Sequence, residues 1–90
     1  MVNDRLHFLV TDDGMIGDRI LKGDTVLINC QNEVFSDEIA VVAYGTKLTI
    51  RRVEKIGSRY KIIPSNPKLL PEMLDSIVII GRVIKNIIVI

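Results

Sequence analysis

Taken as a string of apolar and polar positions, the chain resolves into short strand-like runs separated by turn residues. Leu6 to Thr11 predicts a first strand, closed by Asp12-Asp13-Gly14; Asp-Gly between apolar runs is a strong short-range turn signal. Met15, Ile16, Ile20 and Leu21 recur at a spacing that predicts one or two helical turns between Met15 and Leu21. Gly23-Asp24 leads into "TVLINC", a strand from Thr25 to Cys30, and the polar "QNEVFSDE" then forms a loop. "IAVVAY" (Ile39 to Tyr44) is an unbroken apolar run, as in a buried strand.

Gly45-Thr46 reverses the chain into "KLTIRRVEKI", where Leu48, Ile50 and Val53 are expected on one face and Thr49 and Arg51 on the other. Gly57-Ser58 makes a second hairpin into "RYKIIP", and "SNPKLLPE", with two prolines, reads as a loop. A last strand runs from Ile77 to Ile90, broken at Gly81 where a bulge or bend is expected. Five or six short strands and at most one short helix predict a single mainly β domain over residues 1–90, a small coiled sheet of barrel-like form.

Composition sharpens this. Isoleucine and valine supply 25 of the 90 residues and tryptophan is absent, which favours pleated packing. With 12 basic and 11 acidic residues the domain lacks the basic footprint of a nucleic-acid binder. The single cysteine, Cys30, excludes an internal disulfide and fits a reducing, cytoplasmic setting as a small buried hydrophobe. With one histidine, His7, and no clustered ligands, neither a metal nor a cofactor site is expected, and His7 itself is given no role. The N-terminus lacks the basic and apolar regions of a signal peptide, and the interrupted tail is too short to span a bilayer.

Four segments in order resemble the C-terminal domain of LexA-type repressors, UmuD and phage CI-like repressors, the S24 peptidase family. "DDGMIGDRILKGDTVLI" resembles the family's nucleophile segment, in which Asp-Ser-Met precedes an isoleucine, a Gly-Asp and an apolar strand. "EIAVVAYGTKLTIRRV" resembles the hairpin that carries the catalytic lysine, "YKIIPSNPKLLP" the following Pro-x-Asn loop, and "VIIGRVI" the closing glycine-containing strand.

The resemblance implies a serine that attacks a peptide bond after a neutral lysine takes its proton, which requires that lysine to be buried among apolar groups. Carried over by position, the serine falls on Gly14 and the lysine on Arg51. Glycine has no nucleophile, and arginine stays protonated in proteins and cannot act as the base. The expected state of Arg51 is a solvated strand residue paired with Asp12 or Asp13. The bland account of Gly14 is a turn glycine at positive φ. Lys47 shares the strand face of Arg51 but lies about 13 Å along it, too far to share its pocket. Ser36, Ser58, Ser65 and Ser76 fall in loops, and the Ala-Gly or Cys-Gly dipeptide that such repressors cleave does not occur.

The C-terminal run shows no polar alternation, so both its faces require cover. The pattern leaves an interface strand and a buried central strand equally open; the resemblance implies that the terminal strands contribute to self-association, which makes Ile84, Ile87, Ile88, Val89 and Ile90 the self-association candidates. The reading that follows is a non-catalytic oligomerisation domain of a LexA- or CI-like repressor of phage or prophage type. Its partners would be itself, operator DNA through an N-terminal helix-turn-helix domain outside this chain, and an antirepressor protein, with no membrane contact. The alternatives are an active or mutationally inactivated self-cleaving peptidase, and a stand-alone β-domain that binds another protein.

Overall fold

A computed structural model describes residues 4–87. They form one antiparallel sheet of seven strands, in the order β1-β2-β7-β3-β4-β5-β6. The strands are β1 (Arg5–Leu9), β2 (Thr25–Cys30), β3 (Ile39–Tyr44), β4 (Lys47–Ile56), β5 (Arg59–Ile63), β6 (Glu72–Leu74) and β7 (Val78–Ile87). The mainly β expectation holds, with one more strand than the longer reckoning. The addition is β6, three residues directly after Pro71, in a stretch whose prolines mask its pairing with β5.

The expected helical turns reduce to a single 3-10 turn over Ile16–Asp18, ended by Arg19 in the left-handed region at φ 62°. Both predicted hairpins are present. Gly45 and Gly57 occupy the first turn positions at φ 56° and 61°, where a residue with a Cβ would be strained.

β7 lies between β2 and β3 and joins the β1-β2 pair to the β3-to-β6 meander. It carries two extra residues. Against β2 the register steps from Leu27↔Lys85 to Ile28↔Val83, leaving out Ile84; against β3 it steps from Val41↔Gly81 to Val42↔Ile79, leaving out Ile80. The bulge expected at Gly81 is thus centred one residue earlier. Gly81 is required by close approach, because an added Cβ would lie 2.6 Å from the Asn29 carbonyl oxygen.

Each face of the sheet buries its own core. One holds Val10, Met15, Ile20, Val26, Ile28, Val41 and Ile50; the other holds Ala40, Val42, Val53 and Ile62. Burying each valine, isoleucine or methionine side chain among these stabilises by about 1.5–3 kcal/mol. β4 contributes to both cores, so the expected placing of Val53 on one face with Leu48 and Ile50 is corrected. Ile50 and Val53 differ by an odd number of residues and enter opposite cores, while Leu48 is exposed.

Candidate functional site

The segment between β1 and β2 folds back across β4. Thr11 Oγ1 donates to the Leu48 carbonyl at 3.2 Å, and the Lys22 N–H donates to Asp13 Oδ1 at 2.8 Å. The Pro-x-Asn loop clamps the same segment from the other side. The Ser65 and Asn66 N–H groups both donate to the Gly14 carbonyl, at 2.8 and 3.1 Å, and Asn66 Nδ2 donates to the Asp13 carbonyl at 3.0 Å. These bonds fix the backbone of residues 13–14 against β4.

Gly14 and Arg51 are brought into direct opposition. A Cβ built on Gly14 would overlap the guanidinium carbon and both terminal nitrogens of Arg51, with Nη2 only 2.6 Å away. Gly14 is not among the glycines of positive φ, so the turn account of this residue is corrected. What requires glycine here is the space the guanidinium takes, not the dihedral.

Arg51 is also not the solvated residue expected, since its side chain is 11 % exposed. Its Nη1 donates to Asp12 Oδ1 at 2.9 Å, to Thr49 Oγ1 at 3.0 Å and to the Ile50 carbonyl at 2.6 Å, and its Nη2 reaches Asp12 Oδ2 at 3.3 Å. The partner carboxylate is Asp12, not Asp13. Asp12 also accepts from Thr49 Oγ1 at 2.6 Å and from the Gly14 N–H at 2.8 Å. Partial burial pushes the Asp12 carboxyl up, but the hydrogen bonds from Arg51, Thr49 and Gly14 and the guanidinium charge outweigh it and hold the carboxyl below its ordinary value.

Beside this cluster lies an open cleft of about 410 Å³, bordered by Lys47, Arg51, Lys68, Leu69, Leu70 and Glu72. Lys47 and Arg51 therefore do share a cleft, contrary to the expectation from strand rise, because both side chains are long. The Lys47 ammonium nevertheless sits 5.7 Å from the centre of the Tyr44 ring. Tyr44 donates to Glu72 at 3.1 Å, and burial, with Glu72 adding to it, raises the phenol above its usual value. Chemically, the arrangement offers a buried cation neutralised by one carboxylate, with no serine or lysine side chain among the groups that bond Arg51.

A second ion pair braces the opposite core. Arg52 meets Asp18 in a bidentate fork at 2.5 and 2.7 Å, and the hydrogen bonds from Arg52 are the main reason the Asp18 carboxyl is lowered. Nothing in residue order pointed to this pair, which joins the 3-10 turn to β4. Among the self-association candidates, Ile84 and Ile87 are half-buried on the central strand β7, and Ile88, Val89 and Ile90 lie outside the described residues. Cys30 is half-buried. Among the described residues no group of three acidic, histidine or cysteine side chains could hold a metal ion, and no helix is long and apolar enough to cross a membrane.

The seven-stranded sheet, with the residue 11–24 segment folded onto a buried position of β4, defines the class. The Peptidase S24-like family profile matches residues 3–84, and the chain belongs to that family. Among curated proteins it is similar to the LexA repressor of Anaeromyxobacter dehalogenans, 40% identical over 62 residues, which is 69% of this chain and 27% of that protein. The LexA repressor of Desulforamulus reducens is 35% identical over 75 residues, covering 83% of this chain and 35% of that protein. The LexA repressor of Staphylococcus aureus (strain Newman) is 34% identical over 76 residues, covering 83% and 37%. The chain thus spans about a third of the length of these relatives.

Proposed function

We propose that this chain is the non-catalytic C-terminal assembly domain of a LexA- or CI-like transcriptional repressor. One observation carries the reading: the Arg51 guanidinium fills the space where a side chain at position 14 would stand. In the catalytic arrangement implied by the family, that space holds the serine hydroxyl, and position 51 holds a lysine able to lose its proton. Here position 14 supplies no nucleophile, and position 51 supplies a permanent cation locked to Asp12. Base and nucleophile act as a unit, so replacing both removes self-cleavage as a mechanism.

What remains is assembly. Joining two weak DNA-binding heads raises operator affinity through effective concentration, with no chemistry required. A two-fold pairing of these domains suits a palindromic operator. The DNA-binding heads are helix-turn-helix domains in the remainder of a longer protein, consistent with the third of each LexA relative that this chain spans. Relief of repression then comes from a protein that binds this domain, an antirepressor, as suits a phage or prophage regulator.

The test is incubation of the full-length protein at alkaline pH, where a self-cleaving relative deprotonates its lysine. An intact band over hours is the expected result, and two discrete fragments overturn the non-catalytic reading. Sedimentation over a concentration series tests the assembly role separately.

A further inference from the structure

The cleft beside Arg51 carries positive charge that the molecule leaves unmatched. Lys47, Arg51 and Lys68 border it, against the carboxylates of Asp12, bonded to Arg51, and of Glu72. The ion pairs among the described residues are made by Arg51, Arg52, Arg59 and Arg82, so Lys47 and Lys68 enter none. Glu72 accepts from the Tyr44 hydroxyl, and the Lys47 ammonium lies over the Tyr44 ring. Three cations therefore face two carboxylates, which leaves one positive charge.

Arg51 also keeps a donor free. A guanidinium has five N–H groups. Nη1 and Nη2 are held by Asp12, Thr49 and the Ile50 carbonyl, whereas Nε–H meets no acceptor among the described residues and is not sealed from solvent. With only 9% of Arg51 exposed, that donor is fixed in place before any ligand arrives, which lowers the entropic cost of binding. The rest of the lining is apolar. Buried Ile62 and half-buried Pro64 line the cleft, and Leu69 and Leu70 stand out at its rim, Leu70 84% exposed. The loop that carries these leucines is pinned: Asn66 bonds to the Asp13 carbonyl, the Lys68 N–H donates to Asn66 Oδ1 at 2.9 Å, and the Leu69 N–H donates to the Asn66 carbonyl at 3.0 Å.

We infer that this cleft receives an extended segment of a partner protein in which a carboxylate side chain stands between aliphatic residues. The inference rests on the antirepressor proposed above and names the surface and the chemistry of its contact. The carboxylate accepts from Arg51 Nε–H, Lys47 and Lys68 balance its charge, and its aliphatic neighbours cover Leu69 and Leu70. A basic segment is repelled by the two lysines. A purely apolar one covers Nε–H and leaves it without an acceptor, which is costly. The volume of about 410 Å³ lies within the roughly 300–1,000 Å³ of clefts that enclose a small ligand, so it takes a short stretch of chain and not a folded surface.

Nitrogen-15 spectra of the full chain test this with two blocked peptides, acetyl-Leu-Glu-Leu-Leu-amide and the same peptide with glutamine in place of glutamate. The glutamate peptide should move the Arg51 Nε–H, Leu69 and Leu70 signals saturably. It should bind about fivefold more tightly than the glutamine peptide, an advantage that added salt reduces. Lys47→Glu combined with Lys68→Glu changes two exposed side chains outside any ion pair, so the melting temperature should be retained while the preference reverses.

Equal affinity for the two peptides overturns the inference, as do saturable shifts confined to another face, or no shift up to about 10 mM peptide. If the chain takes the glutamate peptide and the full-length protein does not, the cleft is filled by the rest of its own chain, and a partner is rejected as the occupant. Each of these failures leaves the non-catalytic reading standing, because the alkaline incubation tests that reading by itself.

Discussion

Substituting Gly14 by alanine isolates the contact on which the functional reading depends. The three heavy atoms nearest the new methyl group all belong to the Arg51 guanidinium, and all lie within its van der Waals envelope. The side chain cannot retreat freely, because Asp12, Thr49 and the Ile50 carbonyl hold it. Overpacking of this kind costs about 1–3 kcal/mol. A displaced guanidinium also loses charge-assisted bonds of about 1.5–3 kcal/mol each. Asp12 is 38 % exposed, so water recovers part of that loss, and a net cost of about 2 kcal/mol is expected for Gly14→Ala.

In an Arg51→Ala background the obstacle is gone. The dihedrals at position 14 lie outside the left-handed region, so alanine there should stabilise by about 0.4–1 kcal/mol through the unfolded chain. The sign of the effect reverses, with a coupling of about 2–3 kcal/mol between the two positions. Urea unfolding of the four chains measures it. With a slope of about 1 kcal/mol per molar for a small domain, the Gly14→Ala midpoint should fall by about 2 M in the parent and rise slightly in the Arg51→Ala chain. Equal shifts in the two backgrounds would refute the claim that the guanidinium, and not the backbone, keeps position 14 a glycine.

Other consequences can be checked in the same way. Gly81→Ala should cost more than an ordinary surface change, about 1–3 kcal/mol by denaturation, because the Asn29 carbonyl it meets is backbone and cannot rotate aside. Met15→Ala, at a fully buried site, should cost about 2–5 kcal/mol in the same assay. Asp12 and Asp18 have lowered carboxyl values when folded, so they stay ionised where the unfolded chain already takes up protons; their stabilisation is complete above the ordinary value of 3.8 and is lost as pH falls through the folded values. Melting temperature should therefore drop below about pH 4, and less steeply in Asp12→Asn. Arg52→Ala should destabilise by about 1–2 kcal/mol through its Asp18 fork, without altering Gly14.

The strands were legible wherever a β-branched run ended on a glycine, because both signals are local. Thus β3, β4 and their hairpin at Gly45 follow from residue order alone. β6 was not legible, since two prolines nearby read as loop and its strand identity comes from pairing with β5. The burial of Arg51 was hidden for a different reason. Alternation along β4 separates two faces, but only the whole sheet shows that both are covered. For the site, the resemblance pointed to Gly14 and Arg51, while the distances supplied what no spacing could. One side chain occupies the other's volume, and Asp12, in place of its neighbour Asp13, completes the charge. The Arg52–Asp18 fork left no trace in residue order, because charged residues this far apart are common on any surface.

The place of β7 also bears on how the molecule is made. β1 and β2 pair with each other, and β3 to β6 form a second set, and the backbone ladders of the two sets are joined only by β7. During vectorial synthesis β7 follows every strand it joins, so the two ladders cannot become one sheet until it has left the ribosome. Contacts between segments so distant in the chain form slowly. The edges of β2 and β3 that face β7 must therefore remain without a backbone partner until β7 arrives. A ribosome stalled before Val78 would hold a chain whose two ladders have no strand to join them.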